Sequence, residues 1–153
     1  MATLLRKPND RRTDAPSAPK QATPVKPLVL VVEDHDDTRF MLGYLLGIRG
    51  CRVVLAEDGE MAVRVAESQC PDLILMDATL PRLDGLEATR RIRETPALAR
   101  IPIVFLSGHA QASFRAVALE TGGNDFIVKP FAIDQLERVL DRHLGKNMAA
   151  NAR

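Results

Sequence analysis

From Leu28 onward, short apolar runs alternate with amphipathic segments of helical period. Leu28–Val32 is a continuous apolar run that ends abruptly in Glu33-Asp34. Met41, Tyr44, Leu45 and Ile48 follow at i, i+3, i+4 and i+7, a helical stripe that stops at Gly50. Arg52–Ala56 reads as a second strand, and Asp58 as the cap of a helix running through Ser68. Asp72–Met76 predicts a third strand and Leu86–Arg93 a helix, with Asp84-Gly85 as the turn leading into it. Ile103–Leu106 predicts a fourth strand, and Phe114, Val117, Ala118 and Thr121 a helix that Gly122-Gly123 stop. Phe126–Val128 is the fifth strand, and Ile133, Leu136, Val139, Leu140 and Leu144 mark a closing helix. Five buried-type strands, each followed by a helix, specify a parallel sheet with helices on both faces. The default topology is a doubly wound α/β sheet with right-handed crossovers, here in the flavodoxin-like strand order 2-1-3-4-5.

The segment before the first strand has a different composition. Residues 1–27 hold five of the ten prolines, and six basic residues against two acids give the segment a net charge of +4. Such a stretch cannot bury enough apolar surface to offset its ordering entropy, and it is expected to be a disordered, basic leader. The expected domain runs over 28–146, with 147–153 as a short C-terminal tail too small for a further domain. Over the full 153 residues the net charge is only +1, which argues against nucleic acid or an anionic membrane as the main partner. No apolar run approaches the ~20 residues that span a bilayer, and the N-terminus lacks the apolar core of a signal peptide. Cys51 and Cys70 form no CxxC or Cys/His cluster, and are expected as buried or half-buried thiols rather than a disulfide or zinc site. These features suggest a cytoplasmic protein.

In open α/β sheets the ligand site lies beyond the carboxyl ends of the strands, where strand order reverses. Glu33-Asp34 stands at the end of strand 1, Asp77 at strand 3, Ser107 at strand 4 and Lys129-Pro130 at strand 5. In the order 2-1-3-4-5, strands 1 and 3 are neighbours, so three carboxylates converge and repel one another unless a counter-charge is present. An all-oxygen set with no Cys and no nearby His favours Mg²⁺ over zinc, and Mg²⁺ commonly binds one or two carboxylates plus a phosphate. Beside such an ion, Lys129 would offset the charge of a transferred phosphoryl group and Ser107 would donate to it. Asp77 is then the nucleophile that forms an acyl phosphate.

VLVVEDH at Val29–His35, LILMDATLPRLDG at Leu73–Gly85, FLSG at Phe105–Gly108 and VKPF at Val128–Phe131 occur in order at these strand ends. With them, the stretch from Leu28 to Leu144 resembles a response regulator receiver domain of two-component signalling. The resemblance implies Asp77 as phosphoacceptor, Asp34 as a direct Mg²⁺ ligand, Glu33 acting through metal-bound water, and the Thr79 carbonyl as a further ligand. It implies Ser107 and Lys129 as groups that meet the phosphoryl oxygens, Phe126 as the switch aromatic where many receivers carry Tyr, and a cis Lys129–Pro130 peptide. The phosphoryl donor would be a sensor histidine kinase or a histidine phosphotransfer protein. The output would pass to a protein target through the fourth helix, fifth strand and fifth helix. The expected protein is therefore a stand-alone receiver without a DNA-binding module, autocatalytic rather than a turnover enzyme.

Ser107-Gly108 replaces the usual Ser/Thr-Ala pair of such domains, and Gly108, with Thr79 and His109, is expected to affect the lifetime of the acyl phosphate. Asp36 and Asp37 read as caps of the first helix, His35 and His109 as loop residues, and His143 as a favourable charge in a last helical turn. Two other readings compete. A phosphohydrolase of the haloacid-dehalogenase type needs Asp where Thr79 stands, and a degenerate receiver acting as a constitutive binding domain would lack one of the acids, the acceptor or the lysine. Oligomeric state is not legible.

Overall fold

The structure, a computed structural model, describes residues 25–145. The expectations for 1–24 and for the tail 147–153 lie outside the described residues. Five strands, β1 (Leu28–Val32), β2 (Arg52–Ala56), β3 (Leu73–Asp77), β4 (Ile103–Ser107) and β5 (Asp125–Val128), pair in parallel in the order β2-β1-β3-β4-β5. Five helices follow them: α1 (Asp36–Ile48), α2 (Gly59–Gln69), α3 (Gly85–Glu94), α4 (Ala112–Glu120) and α5 (Ile133–Leu144), with a 3₁₀ turn at Pro96–Leu98. This is the flavodoxin-like doubly wound topology expected from the sequence. The central strands β1, β3 and β4 are buried along their whole length, as continuous apolar runs in a doubly covered parallel sheet should be.

Alternation of side chains on the strands creates two cores. Leu30, Val32, Ile74, Met76, Ile103 and Phe105 face α2 and α3, whereas Val29, Val31, Leu73, Leu75, Val104 and Leu106 face α1 and α5. Each of these fully buried side chains contributes about 1.5–3 kcal/mol relative to exposure. Several short-range signals settle the connections. The Asp58 carboxylate accepts from the Met61 amide at 2.8 Å and the Asp84 carboxylate from the Glu87 amide at 2.8 Å, capping α2 and α3 at about 1 kcal/mol each.

The structure corrects some of the expected detail. On α1 the buried positions are Arg39, Leu42 and Leu46, while Met41, Tyr44 and Ile48 of the predicted stripe are exposed. This helix is apolar over most of its circumference, so two stripes compete. Gly43 favours the Leu42/Leu46 side, because a Cβ there would stand only 3.3 Å from Leu55. Asp36 and Asp37 lie in the first turn of α1, one and two residues beyond the N-cap His35, where their charge suits the helix dipole but no side-chain cap bond forms. β3 starts at Leu73. Asp72 precedes it and its carboxylate accepts from the Leu28 amide at 2.7 Å. Cys51 is buried, but Cys70 is exposed at the left-handed C-cap of α2. His143 reaches back to Asp125 in β5, with Nε2 3.1 Å from Oδ2. Chain pairing begins before Leu28, since the Pro27 carbonyl accepts from the Arg52 amide at 2.9 Å.

Candidate functional site

Strand register assembles the site. Val32 pairs with Met76, Asp77 with Leu106 and Ser107 with Val128. Glu33, Asp77, Ser107 and Lys129 therefore fall in one row along the carboxyl edge of the sheet. Lys129 closes the row: its Nζ lies 2.5 Å from Glu33 Oε2 and 2.9 Å from Asp77 Oδ2. The Lys129–Pro130 peptide is cis, and the Lys129 amide donates to the Ser107 carbonyl at 2.7 Å.

One ammonium thus serves two carboxylates. Burial works to raise the Glu33 pKa, but hydrogen bonds from Lys129 and from the His35 amide and ring overcome it and hold the group at about 2. Asp77 goes the other way. Burial, reinforced by the neighbouring Glu33 charge, raises its pKa despite the bonds from Lys129 and from the Thr79 amide, 2.8 Å from Oδ1. Burial tends to lower the Lys129 pKa, yet its bonds to Glu33 and Asp77 raise it on balance. Glu33 is wholly buried and Asp77 nearly so, whereas the Asp34 side chain is one-third exposed at the rim. Two buried carboxylates, with Asp34 at the rim, face one ammonium and the His35 ring, which leaves the pocket short of positive charge.

The remaining predicted residues border this row. The Ser107 hydroxyl accepts from the His109 amide at 3.0 Å. Phe126 is turned inward, 8% exposed, and its ring meets that of Phe114 on α4 edge to face at 6.1 Å. Phe114 in turn lies 5.0 Å from the His109 ring, so three rings connect the β4–α4 loop, α4 and β5. A Cβ on Gly108 would meet nothing within 4 Å, whereas one on Gly85 would stand 2.1 Å from the Asp77 carbonyl oxygen. Gly85 therefore lets α3 start against the very strand end that carries Asp77.

Two residues of the site escaped sequence reasoning. Arg39, 8% exposed, donates to the carbonyls of Glu33 at 2.9 Å and Asp34 at 3.4 Å and pairs with the Asp36 carboxylate, so it clamps the acidic loop from beneath. An arginine inside an otherwise apolar helix was the available signal. Phe114 was legible only as a core position. His35, expected as a loop residue, points its ring at Glu33 and Asp34.

The donor set is one that Mg²⁺ accepts: Asp34 at the rim, Glu33 and Asp77 behind it, and a pocket lacking positive charge. The family model of the response regulator receiver domain matches residues 29–141. The chain belongs to this receiver family. It is 35% identical over 111 residues to an uncharacterized 14.6 kDa protein of Leptolyngbya boryana, covering 72% of this chain and 83% of that protein. It is 38% identical over 108 residues to the response regulator MprA of Mycolicibacterium vanbaalenii, covering 71% of this chain but only 46% of that regulator. Among solved structures, the receiver domain of the Pseudomonas aeruginosa PAO1 sensor histidine kinase PA1611 is 41% identical, with a TM-score of 0.74. The match covers 80% of this chain and all of that one, which holds a magnesium ion in its active site cleft. Receiver architecture thus accounts for the row of residues at the sheet edge. Among the described residues, no helix is long and apolar enough to cross a membrane.

Proposed function

We propose that Asp77 accepts a phosphoryl group from a histidine kinase or a histidine phosphotransfer protein in the cytoplasm, and that the resulting acyl phosphate switches binding to a protein target. The observation that carries this reading is the shared Lys129: its ammonium stands against the Asp77 carboxylate, where it can pair with a phosphoryl group, and it leaves Glu33 and Asp77 a charge deficit that a divalent cation would fill. An Asp77 oxygen attacks phosphorus, the P–N bond to the donor imidazole breaks, and the imidazole takes up a proton as it leaves. Lys129 pairs with the phosphoryl oxygens, and the Ser107 hydroxyl turns from the His109 amide to donate to them. A Mg²⁺ ion held by Asp34, Asp77 and the Thr79 carbonyl, with Glu33 acting through water, would neutralise charge on the transferred group. Water later attacks phosphorus and releases phosphate, so the domain turns over its own acyl phosphate and no external substrate. Gly108 leaves the phosphoryl side open and, with Thr79 and His109, sets how fast that water arrives.

Exposed apolar residues support a protein donor. Phe40, Met41 and Tyr44 stand on α1 directly after the acidic loop, where apolar surface beside a reacting group suits a macromolecular partner. On the other side, α4 buries only Ala118, and Val117, Leu119 and Val128 are exposed. A helix so lightly held suits a two-state output face formed by α4, β5 and α5, with the rings of Phe126 and Phe114 linking it to the site.

Incubation with Mg²⁺ and a small acyl phosphate tests the proposal. Labelling of the protein that disappears in Asp77→Asn is the expected result. Sustained turnover of diverse phosphate esters would favour a phosphohydrolase, and no labelling a degenerate binding domain.

A further inference from the structure

The acidic pocket carries one group that an all-oxygen Mg²⁺ site does not need. His35 is the N-cap of α1, yet its side chain makes no capping bond. Its ring turns back instead, with Nδ1 3.1 Å from Glu33 Oε1 and 3.2 Å from Asp34 Oδ1. One ligand atom from each of these residues lies within 4.8 Å of the others, close enough to share one ion. The loop is closed around this arrangement, because the His35 amide also donates to Glu33 Oε1 at 3.1 Å while Arg39 holds the carbonyls behind it. The two oxygens of Glu33 are divided between neighbours: Lys129 takes Oε2, and the His35 side takes Oε1. The Oε1 side therefore offers carboxylate and imidazole together without displacing the lysine.

We propose that His35 is a nitrogen ligand of the pocket and selects a first-row transition divalent cation, such as Mn²⁺ or Co²⁺, over Mg²⁺. The inference rests on the reading of the pocket as a divalent-cation site. Mg²⁺ gains little from imidazole, since it prefers oxygen and keeps several waters. Affinity for mixed nitrogen and oxygen donors rises from Mn²⁺ through Co²⁺ to Ni²⁺, so one imidazole added to carboxylates shifts preference along that series. The ring is three-quarters exposed, so its replacement leaves the cores untouched.

The test uses the full untagged chain, loaded with Mn²⁺, Co²⁺ or Mg²⁺ alone. Pulsed electron paramagnetic resonance of the Mn²⁺ form should show coupling to a histidine nitrogen, and His35→Gln should abolish it. Calorimetry should show the preference for Co²⁺ over Mg²⁺ falling by roughly tenfold in His35→Gln, with Asp34→Asn weakening both ions. Absence of nitrogen coupling, an unchanged Co²⁺ to Mg²⁺ ratio in His35→Gln, or Co²⁺ binding that survives Asp34→Asn would each overturn the proposal. Mg²⁺-dependent labelling of Asp77 in the same preparations keeps the outcomes apart. If labelling persists without nitrogen coupling, only the role of His35 fails. If no divalent ion binds, the proposed phosphoacceptor function fails with it.

Discussion

Asp77 and Asp125 are both buried aspartates at a strand end, and their surroundings differ in one respect. Asp125 opens β5 at the amino edge of the sheet, where Arg142 and His143 from the last turn of α5 converge on its Oδ2. Burial tends to raise its pKa, but the Phe126 amide, His143 and Arg142 outweigh that and bring it below the usual carboxylate value. One anion meets two basic side chains, and the interaction is complete. At the carboxyl edge, Asp77 and Glu33 share Lys129, and Asp77 is displaced upward. The difference separates an ion pair that the fold neutralises from a pocket with a deficit of positive charge, the pattern expected of the proposed phosphoacceptor site.

The largest expected effect breaks this contrast at its cation. Lys129→Gln leaves two buried acids facing each other and should cost about 3 kcal/mol of unfolding free energy without divalent ions, measured in urea. Added Mg²⁺ should recover part of that loss. Arg142→Ala leaves Asp125 with His143 and removes a largely exposed partner, so it should cost about 1 kcal/mol or less, with no response to Mg²⁺. Equal losses in the two variants, or no Mg²⁺ recovery in the first, would erase the distinction.

A smaller effect concerns the backbone that carries Asp77. Gly85→Ala drives a Cβ against the Asp77 carbonyl oxygen, a backbone atom that cannot swing aside as a flexible side chain could, and should lower stability by about 2 kcal/mol and slow labelling. Gly108→Ala enters open space and should stay within about 0.5 kcal/mol of the native protein. Its expected effect is a longer-lived acyl phosphate, measured as the decay of label.

The smallest effect is a pH dependence at the opposite edge. Because the folded pKa of Asp125 is lowered, its pairing contributes stability above about pH 4 and loses it as pH falls through the folded value. The stability gap between the native protein and Asp125→Asn should therefore narrow on acidification below about pH 4. A gap that widens there would reverse the assignment.

Much of this was legible in the sequence, for identifiable reasons. Apolar runs such as Leu28–Val32 and Leu73–Met76 predict buried strands, and a group that follows such a run must lie at the carboxyl edge. That logic places Glu33, Asp77, Ser107 and Lys129 in one row, as the strand register does. The stripe on α1 misled because Phe40, Met41, Leu42, Tyr44, Leu45, Leu46 and Ile48 offer more than one apolar face. Periodicity alone does not choose between them, and contact with Leu55 beside Gly43 does. Arg39, His143 and the ring of Phe114 act through contacts distant in sequence or between neighbouring elements, and no local pattern encodes such partners.

The charge deficit of the Asp77 pocket is tested most directly by a Mg²⁺ titration followed at the Thr79 amide, which donates to Asp77 Oδ1. Saturable movement of that nuclear magnetic resonance signal, abolished by Asp34→Asn and by Asp77→Asn but retained in Asp125→Asn, is the predicted result. A signal that ignores Mg²⁺, or one that moves equally in all three variants, would contradict it.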